Sequence, residues 1–200
     1  MPLTPLKRIA KLVYWSVSFQ LPARLRERRA VQQIAESGLF DVEFYVSSHP
    51  DVAGSRLDPI LHYVRHGARE GRDPSPLFDT QFYLRCNPDV AHAGTNPFLH
   101  FLRSGALEGR DPNPFFATRH YLESNPFVRE SGMNPLFHYL AVGAAAGRDP
   151  SPLFDTDWYL EAFSDVAQGG MNPLVHYLRF GRFEGRRTKA EAGGGCPPPR

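Results

Sequence analysis

Laid on itself with an offset of 38 residues, this chain of 200 amino acids repeats four times without a gap. The copies begin at Leu39, Leu77, Phe115 and Leu153, and they occupy residues 39–76, 77–114, 115–152 and 153–187. A period of this length constrains the fold more than composition does. Each copy is one supersecondary unit that cannot bury its own apolar face, so neighbouring copies must share a core.

Eight columns are identical in all four copies. Five lie in the body of the repeat: Phe40/78/116/154, Tyr45/83/121/159, Val52/90/128/166, Pro59/97/135/173 and His62/100/138/176. Three close it: Gly67/105/143/181, Gly71/109/147/185 and Arg72/110/148/186. Identity between copies of one chain reports a shared requirement, either of the fold or of a ligand.

Each half of a copy carries helix signals. Asp41, Asp79 and Asp155 stand where a side-chain oxygen caps a first helix, with Ala117 in that place in the third copy. Apolar residues at helical spacing follow, as in Phe78, Phe82 and Tyr83. His49-Pro50, Asn87-Pro88 and Asn125-Pro126 then end that helix and cap a short turn carrying the valine column. A second helix opens at Asp58-Pro59, Asn96-Pro97, Asn134-Pro135 and Asn172-Pro173, a cap residue before a proline whose missing N–H costs nothing there. Gly67, Gly105, Gly143 and Gly181 are expected to end it in a left-handed residue. The Glu-Gly-Arg-Asp-Pro run, residues 108–112 in the second copy, turns the chain into the next copy.

The expected fold class is all-α: tandem helix-turn-helix repeats stacked in a solenoid-like array, with contacts mostly between adjacent copies. Residues 1–38 read as a basic amphipathic helical cap in two pieces, the second opened by Pro22 and closed by Gly38. Residues 188–200 read as a low-complexity tail, rich in glycine and proline.

Charge is small overall, +2, yet uneven: residues 1–38 carry +5 and the remainder −3. That balance gives no case for nucleic acid, and the basic residues form no recognisable module. Packing on the first copy, or an in-plane contact with an anionic membrane surface through Tyr14, Trp15 and Phe19, both suit the basic segment. The stretch from Ile9 to Leu21 is too short for a membrane span and has no convincing cleavage site after it, so a signal peptide is not expected. Cys86 and Cys196 cannot form a disulfide framework, which suits a reducing compartment.

No Gly-rich phosphate loop, Gly-x-Ser-x-Gly elbow or Cys-x-x-Cys pair occurs. Asp155-Thr156-Asp157 spells a metal-binding Asp-x-Asp, but it fills the helix-start columns and the other three copies lack it. His62, His100, His138 and His176, one per layer, cannot converge on a single zinc ion. They are read as buried imidazoles hydrogen-bonded to a neighbouring turn or carboxylate, with a row of ligand-contacting imidazoles as the alternative. Arg72, Arg110, Arg148 and Arg186 are read as bonding helix-end carbonyls or the capping Asp of the next copy, with an anion-binding ladder as the alternative. Tyr45, Tyr83, Tyr121 and Tyr159 join these columns as inter-repeat or ligand positions. No catalytic residue, metal or cofactor is expected.

The motif Phe-Asp-x-x-x-Tyr-Leu, Asn-Pro-Asp-Val-Ala, Gly-x-Asn-Pro-Leu-x-His-Tyr-Leu, Gly-x-x-Glu-Gly-Arg-Asp-Pro is distinctive. Over residues 34–187 it resembles the short helical repeats attached to large bacterial glycosyltransferases of surface-polysaccharide synthesis, and repeats of some bacterial surface and secreted proteins. Those glycosyltransferases often carry a basic N-terminal stretch ending in Ser-Gly-Leu-Phe-Asp, as residues 37–41 do here. The resemblance implies no activity, because the catalytic domain of such enzymes is a separate α/β unit. The third copy departs at Ala117, Phe127 and Ala146, where the others have acids, and the fourth loses Asn-Pro at Phe163-Ser164.

These readings lead to a non-catalytic repeat module acting as a protein-interaction scaffold in envelope polysaccharide assembly, cytoplasmic or peripheral at the inner membrane. The alternatives are a glycan-binding module and a truncated N-terminal region of a glycosyltransferase.

Overall fold

The structure is a computed structural model and describes residues 23–190. The proposed membrane-contacting segment Ile9–Leu21 and most of the low-complexity tail lie outside the described residues. A helix covers residues 23–36 and leads through Gly38, at φ 65°, into the first copy.

Every copy is built the same way, and the chain is all-α with no β-strand among the described residues. The first helices are Val42–Ser48, Thr80–Cys86, Thr118–Ser124 and Thr156–Ala162. Asp41, Asp79 and Asp155 each accept a backbone N–H three residues on, as expected of caps, and Ala117 offers no such bond.

A copy contains one helix more than its sequence announces. After each first helix comes a short helix: Pro50–Ala53, Pro88–His92, Pro126–Ser131 or Ser164–Gly169. The residue before it was expected to cap it, but the bond runs the other way. Asn87 and Asn125 donate from Nδ2 to the carbonyls of Tyr83 and Tyr121, closing the helix behind them. His49 does the same with its ring nitrogen, 2.7 Å from the Tyr45 carbonyl oxygen, which explains a histidine where the second and third copies place asparagine.

The third helices, Pro59–His62, Pro97–His100, Pro135–His138 and Pro173–His176, are capped by Asp58, Asn96, Asn134 and Asn172. Each runs directly into a π-helical turn: Tyr63–Gly67, Phe101–Gly105, Tyr139–Gly143 or Tyr177–Gly181. Within them the N–H of Ala68, Ala106, Ala144 and Arg182 reaches the carbonyl five residues back. The glycines that end these turns were expected to be left-handed and are not. That role falls four residues later, to Gly71, Gly109, Gly147 and Gly185, with φ between 66° and 79°.

Packing begins inside each copy. Phe78, Tyr83 and Phe101 meet edge-on or tilted with ring centres 5.1–5.9 Å apart, and the equivalent trio recurs in the other three copies. Consecutive copies are joined at the Arg-Asp-Pro corner. Thr80 Oγ1 donates to the Arg72 carbonyl and Thr80 N–H to Asp73 Oδ1, and Thr118 and Thr156 repeat both bonds.

Contacts also skip copies. Arg65 of the first copy pairs with Glu27 at 2.8 Å, and Arg103 of the second donates to Gln33 Oε1 at 2.6 Å. Phe137 of the third lies against Gly38, and the Arg179 guanidinium of the fourth sits 6.0 Å from the Phe44 ring centre. The 23–36 helix and the turn after it therefore touch the first three copies in order, and the first helix of copy one meets the fourth. An apolar recess of about 420 Å³, walled by Leu39, Leu77, Leu140 and Val175, marks where the four come together.

Candidate functional site

Of the twelve residues singled out by their columns, the tyrosine and histidine meet directly in each copy, and the backbone explains how. Tyrosine stands fourth in the first helix of every copy. Histidine closes the third helix just before the π turn. Seventeen residues apart in sequence, Tyr45 and His62 bring the phenol oxygen to 3.1 Å from Nδ1. The same pair measures 2.9 Å at Tyr83–His100, 2.8 Å at Tyr121–His138 and 3.0 Å at Tyr159–His176.

All four tyrosines have no exposed surface. Their hydroxyls rest where a side chain on Gly67, Gly105, Gly143 or Gly181 would begin, which makes that column glycine. The identity of three columns thus has one cause, a tyrosine that crosses the copy and ends between an imidazole and a bare Cα.

Burial sets the protonation of this pair. Desolvation pushes the Tyr45 phenol up to about 12 and raises Tyr83, Tyr121 and Tyr159 further. Desolvation, with the nearby Arg72, Arg148 and Arg186 guanidinium charges, lowers His62, His138 and His176. Two neutral groups sharing one hydrogen bond satisfy each other's buried polarity. A phenol held this far from ionisation is a poor nucleophile or base at neutral pH.

The arginine column is tied down differently from expectation. Its partners are two acids of its own copy, not a carbonyl or the next copy's cap. Arg72 holds Asp51 with NH1 and NH2 at 2.9 and 2.8 Å and Glu70 with Nε at 2.6 Å. Arg186 holds Asp165 and Glu184 in the same way. Arg110 holds Asp89 and Glu108 and adds the Asn87 side-chain oxygen. The clamp lashes the short middle helix to the closing turn of the copy, and it depresses the Asp51, Asp89 and Asp165 carboxyls through the hydrogen bonds from arginine.

The third copy breaks this pattern. Phe127 stands in the aspartate position and Ala146 in the glutamate position, so both clamp partners are gone. Among the described residues no carboxylate pairs with Arg148, and it is exposed where its three counterparts are half-buried. These departures are visible in the sequence, but only the clamp geometry shows that they concern the same arginine.

The Asp155-Thr156-Asp157 triplet opens a helix. Asp155 caps it through the Trp158 N–H, and Thr156 makes the corner bonds to Arg148 and Asp149. Among the described residues no group of three His, Cys, Asp or Glu side chains is placed to hold a metal ion, and no helix is long and apolar enough to cross a membrane. Cys86 is exposed. Comparison with protein families, with curated proteins and with solved structures finds no match for the chain.

Proposed function

We propose that this chain is a non-catalytic helical repeat module whose work is to hold other proteins. In this reading the four copies stack as a short, tightly wound solenoid-like array. The 23–36 helix runs along it, and the surface positions that vary between copies give it an address. One observation carries the reading. Of the polar residues identical in every copy, all four Tyr–His pairs and three of the four arginines are engaged inside their own copies, leaving the positions that vary between copies, and Arg148, to face a partner.

The resemblance of the repeat motif to modules carried by glycosyltransferases supports a partner among proteins of bacterial surface-polysaccharide assembly. Residues 1–38, with their net charge of +5, would add a peripheral contact with an anionic inner-membrane face. A glycan face made by stacking tyrosines would need those rings at the surface, and all four are buried.

The test uses the full chain as bait in cells that make a surface polysaccharide, followed by reconstitution of any captured protein with the purified chain. The reading expects a saturable protein complex, with no release of nucleotide from nucleotide sugars by the chain alone. Retention of polysaccharide with no protein partner would replace it with glycan binding, and nucleotide-sugar turnover would replace it with catalysis.

A further inference from the structure

Four copies of one motif in one chain supply their own controls, and the arginine clamp is where one copy differs. In the first, second and fourth copies the guanidinium is saturated by an aspartate on the short helix and a glutamate two residues before it. In the third, the backbone around the arginine is unchanged. The Arg148 N–H bonds the Gly143 carbonyl at 2.9 Å, and its own carbonyl accepts from Thr156 Oγ1 at 2.8 Å, as its counterparts do with Thr80 and Thr118. Its charge still reaches Tyr121 and His138. The cation has stayed in place while both of its carboxylates have been removed.

What replaced them is apolar. Phe127 is 69% exposed, second only to Phe183 among the large apolar side chains of the described residues. Val142, 54% exposed, holds the position whose equivalents His66 and Phe180 lie beside the histidine of their own copy, with ring centres 5.4 and 5.7 Å from it. An unpaired guanidinium whose two carboxylate positions are held by an exposed phenyl ring and a methyl group is a poor solvated surface and a good anchor for an interface.

We propose that the third copy is the docking site for an acidic peptide segment of a partner protein, with Arg148 taking its carboxylate and Phe127 and Val142 taking a neighbouring apolar side chain. The inference rests on the scaffold reading and deepens it. The missing ligands are what identify the partner's chemistry. In the first and fourth copies the clamp takes two carboxylates on one guanidinium, one on its two terminal nitrogens and one on Nε, and arginine's planar fork suits that pairing. An acidic segment presents carboxylates and apolar side chains at adjacent positions, matching both halves of the exposed surface.

The experiment selects random peptides displayed on phage against the full chain. Survivors are then counter-selected on a Phe127→Asp/Ala146→Glu variant, which gives Arg148 the internal partners of the other copies. Retained peptides should carry Asp or Glu next to an apolar residue. As synthetic peptides they should bind the wild type at least about tenfold more tightly than the double variant or Arg148→Ala, about 1.4 kcal/mol. Arg110→Ala should leave their affinity unchanged. Both site variants should unfold at or above the wild-type midpoint, so that lost binding is not lost fold.

No retained peptide, retained peptides without acids, or equal affinity for Arg148→Ala would overturn the inference. So would tighter, Arg148-dependent binding of polygalacturonate, which would assign the site to a glycan. Partner capture by Arg148→Ala at wild-type yield would sink this site and leave the scaffold reading standing. Failure of the wild type to capture any partner would sink the scaffold reading itself.

Discussion

The phenol oxygen of Tyr83 stands 2.9 Å from Nδ1 of His100 and rests on the bare Cα of Gly105. Three residues on the first helix, the third helix and the π turn are thereby fixed by one atom. The same contact recurs in every copy, so its energetics can be measured once and checked at the others.

Tyr83→Phe and His100→Ala should each lower stability, the first by about 1 kcal/mol for a lost hydrogen bond. The double variant should cost less than the sum, with a coupling of about 0.5–1.5 kcal/mol as for residues in contact. Urea unfolding of the three variants checks this, and strict additivity would place the tyrosine hydroxyl's partner elsewhere.

Gly105→Ala should cost about 1–3 kcal/mol, because the added methyl would overlap the Tyr83 hydroxyl. Removing that hydroxyl opens the space, so Gly105→Ala should be milder in a Tyr83→Phe background than in the wild type. Unfolding midpoints of the pair decide it; an equal cost in both backgrounds would mean the glycine serves the π turn's backbone instead.

Acid should loosen the protein before carboxylates titrate. Burial lowers His62, His138 and His176 below the ordinary histidine value of 6.5. In the unfolded chain these imidazoles protonate first, so their contribution is complete above 6.5 and is lost as pH falls through the folded values. Asp73, Asp111 and Asp149, raised by desolvation, act with the opposite sign, their contribution lost as pH rises above about 4. A urea midpoint that falls from about pH 7 to about pH 5.5, and falls less in a His62→Gln/His138→Gln/His176→Gln chain, is the expected result.

Ala117→Asp should stabilise the third copy by about 1 kcal/mol. The backbone at Ala117, φ −90° and ψ 93°, already has the cap conformation of Asp79, φ −88° and ψ 104°. Calorimetry of this single variant is sufficient, and a lowered midpoint would count against the four copies sharing one cap geometry.

Much of the fold was legible because the period repeats four times. The Asp and Asn caps, the proline starts and the helical class follow from short-range rules, and the structure has them where the residues put them. The middle helix was read as a turn because four to six residues after a proline carry too little periodicity to separate the two. The π turns have no sequence signal of their own. Gly105 was assigned a left-handed helix end because glycine's commonest use is conformational, whereas here it makes room for a hydroxyl that arrives from 22 residues away.

The arginine partners were missed for a similar reason. Asp51 lies 21 residues before Arg72, and nothing local links them. The copy-skipping contacts to the 23–36 helix depend on where each copy lies relative to that helix, which pairwise self-similarity does not encode. The departures at Phe127 and Ala146 were plain in the sequence, yet they acquired meaning only once the clamp was seen.

The most direct test of the account is equilibrium unfolding of His100→Ala beside Arg148→Ala, each against wild type and each with bacterial surface polysaccharide present. The account predicts a lower midpoint for His100→Ala, an unchanged one for Arg148→Ala, and no shift from polysaccharide in any of the three. Wild-type stability in His100→Ala, together with loss of a polysaccharide-induced shift, would contradict it and make the identical columns a ligand face.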